Sequence, residues 1–81
     1  MSITCLIHVQ GGDAIVGEIE ELPDPSSHYV VFTNVRARDG KAVVYIDREA
    51  TRILFPWHRI SFLETLPSEE DMEEVETLFR D

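Results

Sequence analysis

The sequence predicts a mainly β domain: five short strands in a small, strongly bent barrel, followed by a short acidic helix. Three observations lead there. Apolar residues recur with a period of two in short runs, and turn-forming Gly, Pro, Asn and Asp separate those runs. Gly17 lies inside one run, where a strand must bend or let another backbone approach closely. The final stretch changes to a helical spacing. A chain of 81 residues fits one domain. Such a domain buries only about 60% of its unfolded surface, so a well-packed core or pairing with other copies must supply its stability.

Residues 3–9 read as a first strand, with Ile3, Cys5, Ile7 and Val9 on one face. Gln10-Gly11-Gly12-Asp13 is a turn in which glycine can take positive φ. Residues 14–22 form the second strand, and Leu22-Pro23-Asp24-Pro25-Ser26-Ser27 a loop, because two prolines cannot continue a ladder. The third strand runs from His28 to Val35. Its centre, Tyr29-Val30-Val31-Phe32, is apolar on both faces, which calls for cover by the helix or by another subunit. Asp39-Gly40 signals a hairpin into a fourth strand, Lys41–Asp47. Asp47-Arg48-Glu49-Ala50 interrupts that strand as a bulge or turn, and Thr51–Phe55 resumes it. Pro56-Trp57-His58-Arg59 reads as one turn of 3₁₀ helix, and Ile60–Glu64 as the last strand. Five short strands with one tight late turn describe an SH3-like barrel over residues 1–66.

Residues 67–81 read as an acidic amphipathic helix. Pro67-Ser68 opens it, Asp71 completes a capping pattern with Ser68, and Glu69 and Glu70 suit the positive end of the helix dipole. Met72, Val75, Leu78 and Phe79 form one apolar stripe. So short a helix needs a surface to lie on, its own barrel or a partner.

The net charge of −9 is unevenly placed. Residues 1–35 carry a net −5, residues 36–59 a net +3 and residues 60–81 a net −7. Overall acidity argues against non-specific nucleic-acid binding, which depends on neutralising phosphates. The central segment still offers a local basic patch. Cys5, the only cysteine, sits in an apolar run and reads as a buried free thiol suited to a reducing cytoplasm. The N-terminus lacks a basic start, its apolar stretch is broken by Thr4 and His8, and no run is long enough to cross a bilayer as a helix.

No catalytic motif stands out, and no enzymatic activity, cofactor or metal is expected. Ser, His and Asp occur without a nucleophile elbow. His8, His28 and His58 are dispersed and read as polar strand or turn residues. Gly11-Gly12 lacks the Lys-Ser/Thr of a phosphate-binding loop.

One set of residues resembles a known family. Gly12-Asp13-Ala14-Ile15-Val16-Gly17 spaces two glycines five apart, Glu18–Leu22 follows, and Asp24 precedes an apolar strand. This resembles the first motif of the Sm-like (LSm/Hfq-type) small β-barrel superfamily. Asp24 and His28 keep the spacing of that family's Asp-x-x-x-Asn pair, with His in place of Asn. Trp57-His58-Arg59-Ile60-Ser61 resembles the Lys-His-x-Ile-Ser run of the Hfq-type members, without the Lys. Pro56-Trp57 stands where Sm proteins carry Arg-Gly, and the usual N-terminal helix is missing. The resemblance covers about residues 3–65.

The resemblance implies a homo-oligomeric ring, the last strand of one subunit pairing with the fourth strand of the next. It also implies RNA binding near the pore, at Asp24, His28, Trp57, His58 and Arg59. Aromatic and guanidinium planes there could stack on bases. Arg36, Arg38 and Lys41 join that set as cations on the nearby hairpin, where a solvated tip is the competing reading. For Trp57, beside Pro56, a core lid closing a barrel end is the favoured reading over base stacking. Two functions follow: a small oligomeric, non-enzymatic scaffold or protein-interaction module, with the C-terminal helix as a possible partner contact, and alternatively an RNA-binding ring. The acidic total and the missing Arg-Gly favour the first.

Overall fold

The computed structural model of the chain describes residues 2–67. The first period-two run becomes β1 (Ile3–Val9), burying Cys5, Ile7 and Val9 on one face. Gly11 takes the positive φ of 74° that its turn requires. β2 (Ile15–Ile19) buries Ile15, Gly17 and Ile19 and ends before the exposed Glu20 and Glu21. β3 (Tyr29–Ala37) is the longest strand. β4 (Arg52–Pro56) leads through a single 3₁₀ turn (Trp57–Arg59) into β5 (Ile60–Thr65).

All neighbouring strands are antiparallel, in the order β4-β3-β2-β1-β5, and the sheet curls into a half-barrel. The expected five-stranded, mainly β architecture is therefore present, as an open curl with β4 and β5 at its two edges. Phe32, Ile7 and Cys5 are the most deeply buried side chains. Phe32 meets Phe55 edge-on, with ring centroids 5.8 Å apart.

The curl has a local cause. Between β2 and β3 the register passes from Val16↔Arg36 to Glu18↔Thr33, so Gly17 faces two residues, Asn34 and Val35. Asn34 is the extra residue of this bulge and takes φ 50°. That left-handed conformation suits glycine best, and Asn next. On the partner strand, a Cβ at Gly17 would lie 3.3 Å from both Ile7 Cδ1 and Val35 Cγ2. Gly17 therefore sits at a bend, one of the two roles its position inside a strand predicted, and the atoms that crowd it belong to side chains rather than to another backbone.

The expected fourth strand, Lys41–Asp47, does not form. Residues 38–51 are a long connection made of turns. Asp39 Oδ1 accepts the Lys41 N–H, Ile46 N–H donates to Val43 C=O, and Asp47 Oδ1 accepts the Glu49 N–H. Asp side chains that bond backbone two residues ahead offer the chain an alternative to a ladder. Val43 is buried and Ile46 packs against the core, three positions apart, where a strand needs even spacing on one face. The edge strand is instead the stretch expected to resume after the interruption, shifted by one residue from Thr51–Phe55 to Arg52–Pro56. The expected C-terminal helix with its Met72, Val75, Leu78 and Phe79 stripe lies outside the described residues.

Candidate functional site

The features of this sheet most suited to recognition are its edges. Trp57 N–H donates to His28 C=O at 3.1 Å, extending the β3–β4 ladder. Antiparallel ladders alternate between bonded and non-bonded pairs. Counting from that bond, Phe55/Val30 and Ile53/Phe32 are bonded pairs, and the backbone of Arg52, Leu54 and Pro56 faces away from β3. On the other edge, Leu66 N–H donates to Thr4 C=O at 2.7 Å. The same count turns the backbone of Leu63 and Thr65 away from β1. Two short edges thus present unpaired donors and acceptors among the described residues. Pro56, with no N–H, ends the first of them.

Each edge carries apolar surface. Tyr29/Pro56 and Val31/Leu54 are non-bonded cross-strand pairs, the arrangement that brings side chains closest. They form a strip on the outer face, with Leu54 56% exposed. Of the run Tyr29–Phe32, expected to be covered on both faces, only one face is buried: Val30 and Phe32 are in the core, while Tyr29 and Val31 are exposed. A groove of about 440 Å³ runs beside the strip, lined among others by Glu20, Glu21, Asp24, Val31 and Arg52. On β5, Phe62 stacks on His8 with ring centroids 3.9 Å apart, and His8 Nε2 meets Glu64 Oε1 at 2.5 Å.

The residues singled out for RNA fall into two groups. His28 and Trp57 are adjacent through the backbone bond between them, with Asp24 on the same loop as His28 and His58 and Arg59 on the 3₁₀ turn. All five side chains are exposed, with Trp57 at 36% of its surface. Arg59 C=O accepts the Gln10 N–H at 2.8 Å, which ties the turn to the β1–β2 loop. Asp24 Oδ1 accepts the Ser26 N–H at 2.9 Å and the Ser26 hydroxyl at 2.8 Å. Those bonds, backbone first, hold its carboxyl below its ordinary range, so it stays anionic.

Arg36, Arg38 and Lys41 lie at or beyond the far end of β3. Arg36 is already engaged. Its Nη1 donates to Glu18 Oε2 at 2.6 Å and to Asn34 C=O at 2.8 Å, and Asn34 Nδ2 donates to Glu18 Oε1 at 3.0 Å. Burial pushes the Glu18 carboxyl up, but the bonds from Arg36 and Asn34 and the Arg36 charge outweigh it, and the net shift is downward. Arg38 and Lys41 are exposed on the long connection. The three histidines sit on β1, ahead of β3 and on the 3₁₀ turn, and among the described residues no three metal-ligating side chains gather. No helix of the described residues is long and apolar enough to cross a membrane.

Two features escaped the sequence. One is the Glu18–Asn34–Arg36 cluster, in which Glu18 of β2 is brought to Asn34 and Arg36 of β3 only by strand pairing. The other is the Val43–Ile46 turn, which displays Val44 and Tyr45 to solvent. Its signal was the Asp on either side, Asp39 and Asp47, each able to fold the backbone back on itself. Compared with protein-family models, curated proteins and solved structures, the chain finds no match.

Proposed function

We propose that the protein is a self-assembling, non-enzymatic interaction module of the Sm-like kind, whose copies join by strand addition. The outward backbone of β4 on one copy pairs with that of β5 on the next. The observation that carries this reading is the pair of short, unpaired, complementary edges, each beside an apolar patch. A solitary copy leaves those backbone groups to water and the Tyr29–Val31–Leu54 strip uncovered, and strand addition satisfies both. The buried free thiol of Cys5 suits a reducing compartment such as the cytoplasm.

The test is solution mass. The wild-type protein should sediment as a closed oligomer at micromolar concentration. Leu54→Lys and Phe62→Lys put a charge at each edge and should give folded monomers. A wild-type protein that remains monomeric through that range would remove the reading.

The second reading, an RNA-binding ring, is favoured by one observation: the His28–Trp57 backbone bond sets the β2–β3 loop beside the turn before β5. Against it stand Glu20, Glu21 and the anionic Asp24 on the same side, and Arg36 already neutralised by Glu18. Fluorescence anisotropy with uridine- and adenine-rich RNA at low salt decides it. Binding that weakens steeply with salt and is lost in His58→Ala and Arg59→Ala would support the ring, and no binding would end it.

A further inference from the structure

We infer that the basic connection between β3 and β4 is the docking surface for the acidic C-terminal segment of the same chain, residues 68–81. The inference does not depend on the assembly described above.

The connection is built to display apolar surface. Val43 is buried and Ile46 packs on the core, so both ends of the Val43–Ile46 turn are anchored. Between them Val44 is 99% exposed and Tyr45 62% exposed. Corner positions of turns ordinarily hold Gly, Asn, Asp or Pro, whose backbones or short side chains fit them. Here two large hydrophobic residues occupy the corners and face water. Their cost in solvent is offset if something covers them.

The surroundings say what covers them. Arg38, Lys41, Arg48 and Arg52 are all exposed on or next to this connection, and none forms an ion pair among the described residues. Of the nearby acids, Asp39 and Asp47 already accept backbone N–H groups. The occupant must therefore be both acidic and apolar. Residues 68–81 carry seven acids against Arg80 alone, and they interleave those acids with Met72, Val75, Leu78 and Phe79. Residues 13–24 also mix acids with apolar residues, but there Ile15 and Ile19 are already buried in β2. The C-terminal segment leaves Leu66, which is tied to Thr4, and its fourteen residues span up to about 46 Å extended and about 21 Å as a helix. Docked there, the segment would cover the part of the chain that carries its excess positive charge.

The chain supplies its own probe, because Lys41 is its only lysine. Zero-length carbodiimide coupling of the full chain joins an amine to a carboxylate only where the two are in contact. The expected product links Lys41 to one of Glu69, Glu70, Asp71, Glu73, Glu74 or Glu76, mapped by peptide mass. In a mixture of ¹⁵N-labelled and unlabelled protein the linked peptides should be isotopically uniform. Yield should fall at least several-fold in the double variant Val44→Glu, Tyr45→Glu, whose exposed positions leave the core intact. Links from Lys41 only to Asp39, Asp47 or Glu49 would overturn the inference. So would isotopically mixed links, which would place a second copy's segment there. A yield unchanged in the double variant would overturn the role of Val44 and Tyr45.

Discussion

Gly17 and Ile7 fit together only because Gly17 has no side chain: a Cβ there would stand 3.3 Å from Ile7 Cδ1. Val35 Cγ2 lies at the same distance on another side, and Phe32 Cβ at 3.4 Å. Ile7 and Phe32 have no exposed surface, so neither can move aside into solvent. Gly17→Ala should destabilise the fold by about 1–3 kcal/mol through overpacking. In a domain of this size each kcal/mol lowers Tm by roughly 4–8 °C. Thermal unfolding followed by circular dichroism reads the effect, and an unchanged Tm would show that the contact relaxes freely.

Asn34 separates backbone from side-chain effects. Its φ of 50° costs an ordinary residue about 1–2 kcal/mol, and its amide also donates to Glu18. Asn34→Ala should therefore lower the urea midpoint more than Asn34→Gly, which loses the same hydrogen bond but keeps the conformation. Equal midpoints would show that the amide bond, and not the backbone, is what matters.

Glu18 sets a pH dependence. Its folded-state carboxyl titrates below its ordinary value of 4.5. The stability it contributes is therefore complete above that value and is lost as pH falls through the lower, folded-state one. Urea unfolding measured from about pH 3 to pH 7 should show a steeper acid limb in wild type than in Glu18→Gln. The same comparison in Arg36→Met should also flatten that limb, because the cation that lowers the pKa is gone.

Cys5 should be inert in the folded state. Burial first, and the nearby Glu18 charge second, push its thiol pKa up, and the side chain has no exposed surface. A chromogenic disulfide reagent should label it only when denaturant is added. Rapid labelling in native buffer would contradict the packing of β1 against the core.

What the sequence revealed and what it hid divide along local and non-local lines. β1, the glycine turn, Gly17 and the single 3₁₀ turn at Trp57–Arg59 are written in neighbouring residues, and each was legible. Ala42–Ile46 misled because Val43, Val44, Tyr45 and Ile46 have strong strand propensity. Propensity lost to the turns closed by Asp39 and Asp47, whose side chains compete with the ladder. Within the candidate site, no local spacing announced the backbone bond from Trp57 to His28, which only the pairing of β3 with β4 creates. The neutralisation of Arg36 was hidden in the same way, because Glu18 lies on another strand and only the pairing of β2 with β3 brings it near.

The bulge at Asn34 has a consequence for how this small fold stores its shape. With Asn34 left out of the count, Val30, Phe32, Val35 and Ala37 keep one uninterrupted alternation along β3. The residue that bends the strand is thus separate from the residues that tell inside from outside. Curvature and hydrophobic code occupy different letters of the chain. Deleting Asn34 would leave every neighbour's sidedness intact and straighten the strand, whereas moving any of those apolar residues by one place would keep the length and scramble the sides. Selection can therefore tune how tightly the half-barrel closes without rewriting its core.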